Sequence, residues 1–284
     1  MLLKDLITGG TGIISRAYPE KEAREMVFLF LEYHIGTSRH THMLNPSYEV
    51  AEDAAVQAVE AFERMASGEP VQYVAGKAFF YGRDFNVTPD VLIPRPETEL
   101  LVREALEWAK GSGRAVRRIA DLCTGSGCIA WTMAHEIPGS EVVAVDISDG
   151  ALSVASRQPF LDCACPLFVK ADVLEAPPEG LGMFDMVLSN PPYVMESEKA
   201  LMRRNVLEHE PALALFVPDE DPLLFYRAVA SWAVSMLVVG GLCLVEINES
   251  LGAETADVFI RAGFRDVEVL KDLASRDRFV RAIR

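Results

Sequence analysis

From residue 97 onward, short apolar strands alternate regularly with helical segments, and this alternation limits the possible folds more than any other feature. The predicted helices cover residues 97–110, 128–136, 149–157, 223–238 and 252–262, and the predicted strands cover 118–122, 142–146, 167–170, 184–189, 242–247, 266–270 and 279–283. Strands that alternate with helices form a parallel sheet covered on both faces. We therefore predict an α/β fold with a mixed, mostly parallel, doubly wound sheet. A short polar loop joins the last two strands, so at least one of them runs antiparallel to its neighbour.

The first 68 residues show helical patterns and no strand pattern. Apolar residues at helical spacing predict one helix over residues 20–33 and a second helix that Ser47 caps and Gly68 follows. The polar segment 36–46 is the predicted loop between them. We therefore predict a small helical domain over residues 1–68.

Residues 69–96 differ in composition from the segments on either side. β-Branched and aromatic runs occur at 71–74, 78–81 and 85–87, and the turn Gly82-Arg83-Asp84 lies between the last two, which predicts strands and a β-hairpin. We interpret this hairpin as a linker, so the predicted domains are 1–68, 69–96 and 97–284.

Composition excludes several classes of protein. The net charge of −15 disfavours binding along a phosphate backbone, which depends on cationic side chains. The five cysteines lack paired C-x-x-C spacing, and His40 and His42 have no second cluster at ligand spacing, so no metal site is predicted. No apolar run reaches the roughly 18 residues of a spanning helix, and the first residues do not resemble a signal peptide. We expect a cytoplasmic protein.

A glycine-rich turn follows the first strand of the alternating region, in the string Asp121-Leu122-Cys123-Thr124-Gly125-Ser126-Gly127. Gly125 and Gly127 allow the backbone to turn sharply and to approach a ligand at the carboxyl edge of the sheet. Gly125-x-Gly127-x-x-Ala130 also satisfies a relaxed dinucleotide fingerprint, with Asp146 at the end of the next strand to hold ribose hydroxyls. Taken alone, the turn permits either a dinucleotide or another nucleoside cofactor.

Acidic residues at three successive strand ends favour a cationic cofactor. Asp121, Asp146 and Asp172 would repel the pyrophosphate of a dinucleotide. S-Adenosyl-L-methionine carries a sulfonium and an ammonium group, so the acids suit it better. We expect Asp121 near the amino-acid moiety, Asp146 on the ribose and Asp172 with Val173 beside the adenine. Ile147 is a further expected cofactor contact.

The tetrapeptide Asn190-Pro191-Pro192-Tyr193 directly follows the apolar strand 184–189. Two prolines end the strand and stiffen the loop beside the glycine turn. The Asn190 side-chain oxygen and the Pro191 carbonyl can accept the two N–H groups of a planar nitrogen, which aims its lone pair at the sulfonium methyl group. Tyr193 offers a flat face for stacking. The arrangement favours methyl transfer to an amide or amine nitrogen by orientation, without a metal ion.

With these residues the chain resembles the HemK/PrmC-type N5-glutamine methyltransferases of class I peptide chain release factors. The resemblance covers nearly the whole chain and rests on the segments 72–76, 80–82, 92–99, 124–130, 145–148, 189–193 and 210–216. It implies a class I Rossmann-like methyltransferase domain and methylation of the glutamine in a Gly-Gly-Gln motif. Translation termination is the process to which such an enzyme belongs.

The resemblance also assigns residues. Cofactor contacts fall on Cys123, Thr124, Gly125, Ser126, Gly127, Asp146, Val173 and Asn190, and substrate contacts fall on Asn190, Pro191, Pro192 and Tyr193. The helical domain 1–68 corresponds to the part that engages the release factor. The chain departs from the family pattern at Cys123, at the loop 217–222 and at Asn248, of which the loop puts the mode of substrate docking in doubt.

Three other functions share parts of these patterns. A glutamine methyltransferase acting on a ribosomal protein shares the string around Cys123, although segment 95–99 favours the release-factor enzyme. A DNA adenine methyltransferase would use a motif such as Asn190 to Tyr193 in the same way. It would also need a basic region to recognise DNA, and this chain is acidic. An NAD-dependent oxidoreductase shares the glycine turn and leaves Asn190 to Tyr193 unexplained.

Overall fold

The computed structural model describes all 284 residues. The helices are α1 (Leu3–Ile14), α2 (Glu20–Ile35), α3 (Thr41–Leu44), α4 (Glu52–Ala66), α5 (Val71–Ala75), α6 (Pro96–Gly111), α7 (Cys128–Glu136), α8 (Asp149–Ala155), α9 (Arg204–His209), α10 (Leu224–Met236) and α11 (Gly252–Arg261). The strands are β1 (Lys77–Phe80), β2 (Arg83–Asn86), β3 (Arg118–Leu122), β4 (Glu141–Asp146), β5 (Leu167–Lys170), β6 (Phe184–Ser189), β7 (Val194–Met195), β8 (Phe216–Val217), β9 (Leu237–Glu246), β10 (Arg265–Lys271) and β11 (Asp277–Ile283). No helix is both long enough and apolar enough to span a membrane.

Contacts between residues divide the chain into two compact units. The helical unit contains Met1–Lys77 together with Arg203–His209, and the sheet unit contains Ala78–Met202 and Glu210–Arg284. The predicted division into residues 1–68, 69–96 and 97–284 stays a prediction of domain organisation.

The helical unit has its own apolar core, which α1, α2, α4 and α5 supply. The predicted positions Ala23, Val27, Phe30 and Leu31 of α2 are all buried. The expected cap at Ser47 was wrong, because α4 begins at Glu52 after Ala51. The predicted loop 36–46 also contains the short helix α3.

Helix α1 forms although three glycines lower its intrinsic propensity. Gly10 faces the core, where a Cβ atom would stand 2.4 Å from a ring carbon of the fully buried Phe62. Gly9 is exposed, and a Cβ atom there would meet no other atom within 4 Å. Of these two glycines, only Gly10 is therefore needed for the close approach of α1 and α4.

We expect Gly10→Ala to destabilise the protein by about 1–3 kcal/mol, because the added methyl group overpacks against Phe62. The matched control Gly9→Ala adds the same methyl group in open space and should stabilise the helix by about 0.5–1 kcal/mol. Urea denaturation of both variants measures the two free energies of unfolding. Equal effects of the two substitutions would show that Gly10 is not a packing requirement.

The predicted strand over residues 71–74 was wrong, since these residues form α5. Pro70 precedes the helix and Gly76 ends it in a left-handed conformation at φ 70°. Proline before a helix is a start signal and glycine after it is a stop signal, and both were outweighed by the β-branched composition of residues 71–74. The hairpin prediction is confirmed, because β1 and β2 pair around a turn at Tyr81 and Gly82, slightly earlier than expected.

The main sheet has seven strands in the order β10-β11-β9-β6-β3-β4-β5. Strands β9, β6, β3, β4 and β5 run parallel, and β11 runs antiparallel to both of its neighbours. Helices α6 and α7 pack on one face and α10 and α11 on the other. The predicted doubly wound α/β fold is confirmed.

The topology fixes where a ligand can bind. From β3, the middle one of the five parallel strands, the chain continues to β4 and β5 on one side and then crosses to β6 and β9 on the other side. Doubly wound sheets bind ligands at such a switch point, outside the carboxyl ends of the strands. The glycine turn after β3 and the tetrapeptide after β6 therefore lie at the same edge, on neighbouring strands.

Candidate active site

A cavity opens at the switch point between β3 and β6. Its lining includes ten of the predicted site residues: Cys123, Thr124, Gly125, Ser126, Asp146, Ile147, Asp172, Val173, Asn190 and Pro192. An apolar wall completes it, with Val91, Leu92, Pro94, Leu213, Ala214 and Phe225 among its members. The remaining predicted residues, which are Asp121, Gly127, Pro191 and Tyr193, do not line the cavity.

Hydrogen bonds to the carboxylate of Asp146 hold the glycine turn. The backbone N–H of Gly125 donates to Asp146 Oδ2 at 2.9 Å, and the N–H of Ser148 donates to Asp146 Oδ1 at 2.9 Å. Burial raises the pKa of Asp146, while these hydrogen bonds act in the opposite direction. Gly125 has φ 54°, and a Cβ atom there would extend into open space. The turn is therefore a fixed cradle whose glycine leaves room for a ligand.

Gly127 has a structural part in the same turn. It precedes α7 at φ 79°, and a Cβ atom there would stand 3.1 Å from both the Ala155 Cβ and the Trp131 ring. The residue therefore lets α7 pack closely under the turn, and it does not reach the cavity.

Asp121 lies beneath the turn and is fully buried. Its Oδ2 accepts hydrogen bonds from the Thr124 hydroxyl at 2.5 Å and from the Ala130 N–H at 3.1 Å, while Oδ1 has no partner. Burial raises the pKa of Asp121 to about 7, although both hydrogen bonds lower it. In this position the carboxyl group fastens the turn to the first residues of α7.

Asn190 belongs to a buried chain of hydrogen bonds. Its Nδ2 donates to Thr98 Oγ1 at 3.2 Å, and the Thr98 hydroxyl donates to Glu246 Oε2 at 2.7 Å. The Tyr193 hydroxyl donates to Glu246 Oε1 at 2.9 Å. The loop after β6, the first turn of α6 and the end of β9 thus meet at one carboxylate. Thr98 and Asn190 both line the cavity.

Comparison with known proteins agrees with this arrangement. The model of the methyltransferase small domain matches residues 97–213, and that of the PrmC N-terminal domain matches residues 5–76. A release factor glutamine methyltransferase of Flavobacterium psychrophilum is 36% identical over 99% of this chain and 99% of its own length. The enzyme of the same name from Bacteroides thetaiotaomicron is 43% identical over 78% of each chain.

The chain belongs to the release factor glutamine methyltransferase family. The prediction of the family from the sequence is confirmed. Among solved structures, a 16S rRNA methyltransferase of Thermus thermophilus in complex with AdoMet and guanosine is 20% identical, with a TM-score of 0.53 over 73% of this chain and 49% of its own. A methyltransferase of Pyrococcus furiosus is 18% identical, with a TM-score of 0.50 over 72% of this chain and 90% of its own. At this identity the two structures show the fold alone.

Two departures from the family pattern lie at the site of this family member. Cys123 lines the cavity at φ 60°, a left-handed conformation that glycine adopts at lower cost. Asn248 is buried, and its Nδ2 donates to the Tyr193 carbonyl at 3.3 Å and to Glu198 Oε2 at 2.9 Å. It therefore ties the loop that contains Tyr193 to the segment that follows.

Tyr193 is placed differently from the sequence-based expectation. Its ring packs against the core, and its hydroxyl bonds to Glu246 rather than facing the cavity. Burial, followed by the nearby Glu246 carboxylate, raises the pKa of Tyr193 well above its ordinary value. The phenol therefore stays protonated and available as a hydrogen-bond donor.

Sequence reasoning missed four polar residues at this site of the methyltransferase. They are Arg95, Thr98, Glu210 and Glu246, of which the first three lie within the segments that carry the family resemblance. Glu210 is buried and accepts bonds from the Ile93 N–H at 3.2 Å and from Arg95 Nη2 at 2.6 Å, which fixes a segment of the cavity wall. More than 110 residues separate these partners. The signal that identifies such residues is the burial of polar and charged side chains, which the structure shows and the sequence does not.

Proposed function

We propose that this chain transfers a methyl group from S-adenosyl-L-methionine to the side-chain amide nitrogen of the glutamine in the Gly-Gly-Gln motif of class I peptide chain release factors. The main observation in support of this proposal is that Asn190 and Pro192 line the same cavity as the glycine turn and Asp146. This arrangement supports a nucleoside site and an amide-binding tetrapeptide that share one cavity. Membership of the family supports the choice of acceptor.

The cavity suits a cationic nucleoside. Asp146 and Asp172 place two carboxylates on its lining, and Gly125 leaves open space beside them. We propose that Asp146 binds the ribose, that Val173 and Ile147 contact the adenine side, and that the turn from Cys123 to Ser126 cradles the amino-acid moiety. Asp121 acts indirectly in this proposal, by holding Thr124 in place. No step of the proposed reaction needs a metal ion.

The acceptor nitrogen needs orientation because its lone pair is delocalised into the amide. Two acceptors would take its N–H bonds and direct the lone pair toward the methyl group. One is Asn190 Oδ1, and the other is the Pro191 carbonyl, which does not line the cavity itself but is bonded to the nitrogen of the lining residue Pro192. The cofactor supplies an electrophilic methyl group on a sulfonium, which leaves as a neutral thioether. The new N–C bond would form as the S–C bond breaks, and the amide nitrogen would then release one proton to the solvent. Pro192 contacts the glutamine, and Tyr193 holds the loop through Glu246.

The partner assignment extends to the helical part of the chain. We propose that residues 1–68 dock the release factor in the cytoplasm, where translation takes place. The net charge of −15 supports a protein partner over a nucleic acid. The segments Arg203–His209 and Met1–Lys77 form one compact unit, so the docking surface includes α9.

We expect S-adenosyl-L-methionine, and not NAD, to raise the melting temperature. At one hundred times its dissociation constant the ligand should add about 2.7 kcal/mol to the free energy of unfolding. Differential scanning calorimetry with each ligand measures this effect. A tritiated-methyl assay that offers release factor, ribosomal protein and DNA in parallel then tests the acceptor. Stabilisation by NAD alone would contradict the assignment of S-adenosyl-L-methionine as the cofactor. Labelling of the ribosomal protein alone would show that the ribosomal protein, and not the release factor, is the methyl acceptor.

A further inference from the structure

Glu246 and Thr98 are deeply buried polar residues that take no direct part in the proposed transfer step. Glu246 is 1% exposed and Thr98 is 2% exposed. β6 and β9 are neighbouring parallel strands, so Glu246, the last residue of β9, lies beside the start of the tetrapeptide. Burying a carboxylate is costly unless it is hydrogen-bonded. Here it receives bonds from Thr98 and Tyr193.

The direction of these bonds follows from counting protons. An ionised carboxylate only accepts, so the Thr98 hydroxyl must donate its single proton to Glu246. Thr98 Oγ1 is then left only with lone pairs and must accept from its other partner. The group of Asn190 at 3.2 Å is therefore the NH₂ group, because the amide oxygen has no proton to donate. The hydrogen-bond network therefore determines which end of the Asn190 amide faces Thr98.

We propose that Glu246 and Thr98 are positioning residues that hold the Asn190 amide in one orientation, with Oδ1 rather than Nδ2 presented to the acceptor nitrogen. The inference rests on the proposed function of Asn190. The reversed amide would present two N–H groups to the N–H groups of the glutamine, and donors facing donors repel. Only the orientation that ionised Glu246 selects can therefore bind and aim the glutamine amide.

The charge on Glu246 determines the donor and the acceptor in each hydrogen bond that links Glu246, Thr98 and Asn190. Protonated Glu246 can donate to Thr98, Thr98 can then donate to Asn190 Oδ1, and the amide turns its NH₂ group toward the cavity. Burial raises the pKa of Glu246, against the bonds from Thr98 and Tyr193 and the charge of Arg278. Because the ionised form is the competent one, activity is present above this pKa and is lost as pH falls through it.

Other charged and titratable groups face Glu246 from four elements. They are Glu97 on α6, Cys128 on α7, Tyr226 on α10 and Arg278 on β11, in addition to Tyr193. Burial raises the pKa values of Cys128, Tyr226 and Tyr193 further above neutrality, and the pKa of Arg278 is also raised. These four groups therefore keep one charge state between pH 5 and 8. Asp121, with a pKa raised to about 7, is the nearby group that could also titrate in this range.

The test uses shape-matched variants of the full-length enzyme with release factor as the methyl acceptor. Thr98→Val keeps the shape and removes the hydroxyl group, and we expect kcat to fall about tenfold or more, with the dissociation constant for S-adenosyl-L-methionine changed less than about twofold. Thr98→Ser restores the hydroxyl and should recover most of kcat. Thermal melting confirms that each variant is folded.

The pH profile of kcat separates positioning from a purely structural role. Glu246→Gln should lower kcat and abolish the acid limb of the profile, because its side chain no longer titrates. Tyr193→Phe removes one bond to the ionised carboxylate and should shift the acid limb to higher pH. Asp121→Asn is the control for Asp121, the other group that could titrate in this pH range. The acid limb of the kcat profile should persist in this variant.

Three results would overturn the proposal. They are a wild-type kcat in folded Thr98→Val, an acid limb that persists in Glu246→Gln, and a Tyr193→Phe profile whose acid limb does not move to higher pH. Failure of the proposed function is distinguishable, since wild-type enzyme that binds the cofactor but does not label release factor refutes that function before any variant is compared.

Discussion

Replacing Asn190 by alanine should lower kcat about a hundredfold or more, near 3 kcal/mol of transition-state stabilisation, while the affinity for S-adenosyl-L-methionine changes little. Asn190 lines the cavity at the end of β6, and its NH₂ group is engaged by Thr98. The free amide oxygen is the acceptor that orients the glutamine nitrogen. Its loss removes an interaction that strengthens as the lone pair localises, so the barrier rises more than the binding energy falls.

Single-turnover transfer of a tritiated methyl group to release factor measures this effect, and calorimetric titration measures the cofactor affinity. Asn190→Asp is the stricter comparison, because its carboxylate accepts a bond but cannot donate to Thr98. Thr98 has one proton for two carboxylates, so either residue 190 or Glu246 loses a partner. We expect intermediate activity for Asp and almost none for Ala. Wild-type turnover in Asn190→Ala would refute the proposed mechanism even though the family is established.

The sheet could be predicted from the sequence because buried parallel strands form short, continuous apolar runs. The limits of β3, β5 and β6 agree with the predicted strands 118–122, 167–170 and 184–189. Strand β9 starts at Leu237, five residues before the predicted start. Gly240 and Gly241, which directly precede the predicted start, lie where the pairing of β9 with β6 shifts register. The glycines therefore mark an irregularity within the strand and not its beginning.

The site could be predicted only where its residues follow one another in the chain. The glycine turn and the tetrapeptide carry their chemistry in a few adjacent residues, each at the end of a strand. The link from Thr98 to Asn190 spans 92 residues and that from Thr98 to Glu246 spans 148. No local pattern relates such residues, because the fold alone brings them together.

Asp121 shows a different reason why a local pattern falls short. Its position at a strand end was predicted, but alternate residues of a strand face opposite sides of the sheet. Ile119 packs among the residues of α6 and α7, and Asp121 lies on the same face, where it bonds to the Ala130 N–H. Leu122 packs on the other face, against α10. The side chain is therefore directed under the turn instead of into the cavity.

Asp146→Ala should weaken the binding of S-adenosyl-L-methionine by about ten- to hundredfold, because it removes charged hydrogen-bond acceptors worth about 1.5–3 kcal/mol. The carboxylate lines the cavity and also accepts bonds from the Gly125 and Ser148 N–H groups. Loss of affinity alone would therefore not distinguish contact with the ribose from support of the turn. We expect unfolding to remain cooperative, since Asp146 is only partly buried.

A cycle that pairs the protein change with a ligand change makes the distinction. S-Adenosylhomocysteine and an analogue without the two ribose hydroxyls are titrated into wild type and into Asp146→Ala. If Asp146 bonds the ribose, wild type should lose about tenfold or more in affinity for the analogue, and the variant should show almost no further loss, because interacting groups are non-additive. If Asp146 only supports the turn through Gly125, the penalty for the missing hydroxyls should be equal in both proteins. Equal penalties would place the ribose hydroxyls against another residue of the cavity and leave Asp146 as a purely structural acid.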